Sequence, residues 1–491
     1  MSSPISSAGK RPYYWLTLAV SVISLLPLLL VRMETWDFVR IEMGFIRQDP
    51  FQFQVFKDHH YLRYLLLVAT NEFSLFTGLP TKLITNVLAV LSVLGIARES
   101  FVLLRNKFDF SFLPAMAGAW VVLAFPTWHT LVSGAVLSYA LFLWIFLASI
   151  NLWDKKRRII ATGLFLISLA YYSIFAMVVG FACCQTILTI NTSNARDKLI
   201  RTFLFCLGMF LWFIVVYAFG DIRTHDEENA FSLHRLHSFI NFGAMAAIVG
   251  AGSFLLSRTV TNAEERAVFT RRILCLLTLA FFAGLAYWAV GKPLRFFAFG
   301  SYTARHTFLT CIPLGLGMAI AVDLALRKLN GRIVAYAITF VLAVMLVLQH
   351  QGLSHKAAEL IYREIITQEF KKIPPPPSGY VAIFPVGFTQ PRHVHKLGLA
   401  MSLYRAYGKT AWMLNDPFMR DLTPTKENMI AMYKDYSRDE MKKNLADEVT
   451  GDAYTKFELH LENYYQEGRF WYWWYYAIGD YTAFNPRLVK A

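Results

Sequence analysis

Charge is scarce in this chain. Only 16% of its 491 residues are Asp, Glu, Lys or Arg, whereas 56% are hydrophobic, and the mean hydropathy is +0.41. Soluble domains carry about a quarter charged residues, so a wholly soluble globular protein is excluded. Acidic residues are the scarcer kind, 33 against 48 basic, which leaves a net charge of +15. Cysteine is limited to Cys183, Cys184, Cys206, Cys275 and Cys311, all in or beside apolar runs. The polar C-terminal part has none, which excludes a disulfide framework there. No internal repeat is visible, and this disfavours an inverted-repeat transporter. No small-residue cleavage site follows the first apolar run, so that run reads as a retained helix.

What the chain has instead is apolar runs near 20 residues, the length that crosses a hydrocarbon core. The expected spans are 14–33, 84–104, 112–125, 132–153, two short helices within 159–190 turning near Tyr171, then 203–220, 240–256, 273–290, 307–326 and 333–349. A stretch at 61–77 has helical apolar spacing but is interrupted by Arg63, Asn71 and Glu72, and it reads as an interfacial helix. Basic clusters at Lys10/Arg11, Arg105/Lys107, 155–158, Arg196/Lys198/Arg201, 258–272 and 327–332 all fall on one side under this count. By the positive-inside rule that side is the cytoplasm. The basic excess therefore points to membrane lipids with anionic headgroups rather than to nucleic acid. The sequon at Asn191 falls on the cytoplasmic face, where it would be unused.

After residue 352 charged residues rise and long apolar runs stop. Residues 355–372 read as a helix, Pro374–Pro377 as a stiff spacer, 379–386 (GYVAIFPV) as a strand, 395–407 as a helix and 410–414 as a second strand. The aromatic run 471–476 (WYWWYY) suits a membrane interface. The expected fold is thus an α-helical polytopic membrane protein of about eleven transmembrane helices, residues 1–351 with a first outer loop at 34–80. A small extracytoplasmic α/β domain follows at 352–491. The absence of outer sequons and disulfides points to a bacterial inner (plasma) membrane, with the N-terminus cytoplasmic and the C-terminus periplasmic.

Chemistry concentrates after the first span, at 36–50 (WDFVRIEMGFIRQDP) and 58–66 (DHHYLRYLL). A carboxylate a few residues outside the membrane, a Gly-containing amphipathic stretch and a second amphipathic helix resemble the first outer loop of GT-C membrane glycosyltransferases. Asp37 stands where that family's catalytic Asp stands. Phe38 replaces a frequent Glu, and Asp58, His59 and His60 stand in place of its H-P-P-L segment. A second match is 300–306 (GSYTARH), where Arg305 and His306 resemble the family's late outer phosphate-binding site, with Lys292 and Arg295 in the same loop.

The resemblance implies a polyprenyl-phosphate-linked sugar as donor and a glycan, lipid or protein as acceptor. Asp37 would be the general base and Arg305 the clamp on the departing lipid phosphate. Glu42, Asp58, His59, His60, His306, Arg295 and Lys292 would bind substrate. One departure stands out. The turn at 126–133 (PTWHTLVS) has no carboxylate, whereas many relatives keep a second acid there. Neither a metal nor a cofactor is expected, because the pair His393 and His395 lacks a third convergent ligand. Two alternatives stay open: a GT-C-like scaffold without catalysis in surface polysaccharide assembly, and a lipid-linked sugar transporter. Asp323 is the clearest internal carboxylate for the transporter.

Overall fold

A computed structural model describes residues 7–31, 81–132, 136–154, 157–169, 173–190, 194–219, 262–288, 302–375, 380–389, 455–466 and 468–490, with isolated residues in 66–79, 171, 251, 260 and 402–413. The described chain is mostly helical with one small sheet. It divides into two compact units, one comprising Met1–Arg32 and Pro50–Leu353, the other Met33–Asp49 and Ser354–Ala491.

The first unit contains α1 (Ser7–Leu30), α2 (Thr81–Asn106), α3 (Phe112–Leu123), α4 (Leu137–Asp154), α5 (Arg158–Ser168), α6 (Ser173–Thr189), α7 (Ala195–Phe219), α8 (Ala263–Trp288) and α9 (Cys311–Leu326). Two 3-10 segments, Pro126–Val132 and Tyr302–Thr310, join this bundle. A last helix, α10 (Gly331–Lys371), starts in the first unit and ends in the second. The closest helix pairings are α6 with α8, α3 with α9, α4 with α5, and α2 with both α3 and α4.

The expectation of about eleven spans is corrected by these lengths. Among the described residues five helices are long and apolar enough to cross a membrane, or six if the bent pair Phe112–Leu123 and Pro126–Val132 is one span. Helices α5 and α6 have 11 and 17 residues. At 1.5 Å per residue α5 spans only about 17 Å, far short of a hydrocarbon core of about 30 Å. The third expected span breaks at Pro126, which cannot supply a helical N–H. The eighth, 240–256, lies almost wholly outside the described residues, as does much of the stretch 61–77.

Apolar side chains also face outward as a lipid-exposed surface would require. On α10, Ile333, Tyr336, Phe340, Val344 and Val347 are all exposed and follow one another at steps of three or four residues. A stripe of this size is rare on a soluble monomer. These features mark the chain as a membrane protein.

The sequence reading also placed a break between a span ending at 349 and a helix starting at 355. The structure instead runs α10 through both as one helix of 41 residues. Polar residues in the middle of this helix find partners in the first unit. Gln349 Nε2 donates to the Ser24 carbonyl at 3.0 Å, and His350 Nε2 lies 2.9 Å from the Ile23 carbonyl.

In the second unit β1 (Tyr380–Val386), β2 (Trp412–Met413), β3 (Thr455–His460) and β4 (Arg487–Lys490) form a sheet of order β2-β1-β3-β4. β1 is parallel to β2 and β3, and β3 is antiparallel to β4. Phe457 and Leu459 of β3 are buried at alternate positions. They pack with Ala358, Ile361, Tyr362 and Ile365 of α10, which lie on one helical face. The aromatic run 471–476 divides. Tyr472 of α11 (Tyr472–Ile478) is buried in this core, whereas Trp471 and Trp474 are about half exposed.

Candidate functional site

Polar groups gather at both ends of the first unit. At one end α3 stops at Leu123 and turns by 43° into Pro126–Val132, all seven residues of which are buried. Bending a helix frees carbonyls that lipid cannot satisfy, so protein donors must reach them. The Trp128 indole N–H donates to the Val122 carbonyl at 2.7 Å, and the Ser24 hydroxyl donates to the Leu123 carbonyl at 2.8 Å. His129 Nδ1 lies 2.7 Å from the Pro126 carbonyl, so the proton sits on Nδ1.

The second 3-10 segment, Tyr302–Thr310, packs against the first. Trp128 and Phe308 have ring centroids 5.0 Å apart, and Tyr139 lies edge-on to Phe308 at 6.0 Å and 4.5 Å from Tyr171. His306 is buried with its ring 5.8 Å from that of Tyr287. Arg305 precedes it on the same segment. The end of α1 is here too. Val31 accepts a hydrogen bond from Asn86 Nδ2 at 3.2 Å, and α1 touches Pro126–Val132.

At the opposite, basic end Arg272 of α8 is buried and serves three acceptors. Its Nε donates to the Phe108 carbonyl at 2.8 Å, its Nη2 to the Asp109 carbonyl at 2.5 Å and its Nη1 to Asp323 Oδ2 at 2.8 Å. Its guanidinium also lies 4.0 Å from the centre of the Phe110 ring. Asp323, the carboxylate singled out for a transporter, is therefore held in an ion pair. A buried carboxylate, Glu99 of α2, accepts from Asn151 Nδ2 of α4 at 2.6 Å. Sequence reading missed Glu99 and treated Arg272 only as a topology marker. A carboxylate inside an expected span was the signal for Glu99.

No family model, curated protein or solved structure matches this chain. The site therefore rests on its own residues. Asp37, Glu42, Asp58, His59, His60, Lys292 and Arg295 lie outside the described residues, as do His393 and His395. Arg305 is described in its backbone and His306 in full. The structure thus brings the Arg305–His306 segment, the buried turn at His129 and the end of α1 to one end of the first unit. Chemically, that end offers a dry aromatic wall beside polar groups.

Proposed function

We propose that the chain is a GT-C-type membrane glycosyltransferase. It moves a sugar from a polyprenyl-phosphate donor to a glycan, lipid or protein acceptor on the extracytoplasmic face of the inner membrane. Asp37 takes the proton of the acceptor hydroxyl. The freed oxygen bonds to the anomeric carbon, the bond from that carbon to the phosphate oxygen breaks, and the lipid phosphate leaves with the electron pair. Arg305 neutralises the charge that develops on it. Lys10 and Arg11 near the start of α1 support a cytoplasmic N-terminus, and in this reading residues 354–491 are extracytoplasmic.

The supporting observation is that the Arg305 segment and the end of α1 both pack against Pro126–Val132, away from the basic end. Asp37 follows Val31 by six residues, which span at most about 20 Å when fully extended. A second reading, a scaffold of this architecture without catalysis, is favoured by the turn Pro126–Val132, which holds no carboxylate and is wholly buried.

Purified full-length protein supplied with a panel of labelled polyprenyl-phosphate sugars tests both readings. We expect transfer, reduced by about 10²–10⁴-fold in Asp37→Asn and by about 10²–10³-fold in Arg305→Ala. Undiminished transfer by Asp37→Asn removes that carboxylate from the mechanism. Donor binding without turnover by the wild type favours the scaffold.

A further inference from the structure

The exposed half of the aromatic run 471–476 plays no part in that site. Trp471, Trp474 and Ile478 are each about half exposed, and they stand three and four positions apart, so they share one face at α11. Tyr472 points the other way, into the core of the second unit. Arg469 is exposed as well. Its guanidinium lies 4.1 Å from the centre of the Tyr465 ring and 5.8 Å from that of Trp471. The result is a face of indole and alkyl groups with a cation at its edge.

The place of this face along α10 identifies what covers it. From Ile333 to Leu353 that helix carries no Asp, Glu, Lys or Arg. The run rises about 30 Å, and a hydrocarbon core is about 30 Å thick. The segment that carries the rings is pinned to the very next residue. Ser354 Oγ donates to the Phe470 carbonyl at 2.7 Å. Gly468 has a φ of 69°, and a Cβ there would run into the Ser354 carbonyl oxygen. Glycine alone meets both demands. Trp471 follows Phe470 directly, and Trp474 stands about one helical turn, roughly 5 Å, further on. The rings therefore start at the depth where α10 leaves hydrocarbon for the headgroup layer, which is about 5–8 Å thick on each side.

We propose that Trp471, Trp474 and Ile478 dock on the boundary between lipid headgroups and acyl chains, in the leaflet from which α10 emerges, with Arg469 reaching a lipid phosphate. Indoles favour that boundary because the ring is apolar and its N–H seeks a polar partner. The stem of an arginine lies along apolar groups while its fork takes phosphate oxygens. Asp480, just past Ile478, is turned to Thr482, whose N–H and hydroxyl it accepts at 3.0 and 2.6 Å. The contact gives the second unit a membrane attachment in addition to α10. It requires that α10 crosses the membrane, and it is independent of the sugar-transfer reading.

Fluorescence quenching of the full-length protein, one copy to each phosphatidylcholine nanodisc, tests it. Subtracting the emission of W471F/W474F from that of the wild type isolates two indoles among the twelve tryptophans. We expect this emission to be lost in lipid brominated near the glycerol end of its chains, to survive in lipid brominated near the chain methyls, and to resist aqueous iodide. A second readout needs no substitution. Hydroxyl-radical oxidation of the wild type in nanodiscs, read residue by residue by mass spectrometry, should be as slow at Trp471 and Trp474 as at the buried Tyr472. Emission indifferent to both bromolipids, equal quenching by the two, or oxidation of these rings well above that of Tyr472 would each overturn the docking. A blue shift of the iodide-accessible emission on adding a soluble oligosaccharide would also overturn it and assign the face to a glycan.

Discussion

Gly118 of α3 and Gly315 of α9 meet backbone to backbone. A Cβ on Gly118 would stand 2.5 Å from the Gly315 carbonyl oxygen, and one on Gly315 would stand 2.8 Å from Val122 Cγ2. Small residues let membrane helices approach closely enough for dispersion and weak hydrogen bonds to hold them. Gly118→Val and Gly315→Val must push the helices apart, and we expect each to destabilise the protein by about 1–3 kcal/mol. Gly163 of α5 is the control, since nothing lies within 4 Å of its Cβ position. There Gly→Ala should stabilise by roughly 0.5–1 kcal/mol through helix propensity. Thermal melts in detergent rank the three variants, and Gly118→Val melting with the wild type would refute the close approach.

Arg272 ties three chain segments together, because Phe108 and Asp109 follow α2 and Asp323 lies on α9. Replacing it by Ala leaves a carboxylate and two carbonyls without their donor. We expect a loss of about 3–5 kcal/mol. Arg272→Lys should recover little, because an ammonium cannot reproduce the planar fork that reaches all three acceptors. The pair of Arg327 with Glu265, at 2.5 Å, is the contrast. Both side chains are more than a third exposed, and Glu265→Gln should cost less than about 1 kcal/mol. Chemical denaturation of the purified variants measures the difference. Equal losses at the two pairs would show that burial does not decide the matter.

Apolar runs made the membrane body legible in the amino-acid sequence, because runs of that length have few other solutions. The turn near Tyr171 and the strand at β1 were legible for similar reasons: a stretch too long for one span, and a β-rich segment beside Pro and Gly. The number of crossings was not. Hydropathy measures transfer to lipid, and it does not see that α5 ends after 11 residues or that α3 bends at Pro126. Nor did it anticipate that α10 runs on past residue 349, where Gln349 and His350 bond to the Ser24 and Ile23 carbonyls. Of the candidate site, Arg305 and His306 were singled out through a resemblance. The buried surroundings of His129 came only with the fold, because Gly352 and the segment Tyr302–Thr310 that packs on this turn are distant in sequence.

Gly352 shows why α10 carries a glycine in mid-helix. A Cβ there would stand 2.6 Å from Nδ1 of His129, whose ring is fully buried. A helix-interior glycine costs about 1 kcal/mol relative to alanine, so Gly352→Ala would stabilise an isolated α10. Within the bundle we expect the opposite, a loss of about 1–3 kcal/mol from the overlap with the imidazole. Pairing Gly352→Ala with His129→Ala should restore part of that loss, since the smaller side chain leaves room. A double-mutant cycle on melting temperature reads the coupling. Additive losses would mean that the two residues do not touch.

The second unit should be sensitive to alkali. Tyr464 is buried, and its hydroxyl donates to the Ala358 carbonyl at 2.8 Å. That of Tyr472 donates to the Asn463 carbonyl at 3.1 Å. Burial raises the pKa of Tyr464, Tyr472 and Tyr481 above the ordinary tyrosine value, and pushes Tyr407 up to about 12. An unfolded tyrosine loses its proton near pH 10. Above that value the unfolded state binds fewer protons than the folded one, so stability, fully present below pH 10, falls as pH rises further. Tyr464→Phe removes one hydrogen bond, at a cost of about 1 kcal/mol near neutral pH. It also removes one group whose ionisation favours unfolding, so its cost should shrink above pH 10 and change sign once the unfolded tyrosine is mostly ionised. Tyrosinate absorbance and near-ultraviolet circular dichroism, followed together through an alkaline titration of the full chain, report ionisation and unfolding at once. A Tyr464→Phe penalty that stays constant from pH 7 to pH 11 would show that this hydroxyl ionises as freely in the folded protein as in the unfolded chain.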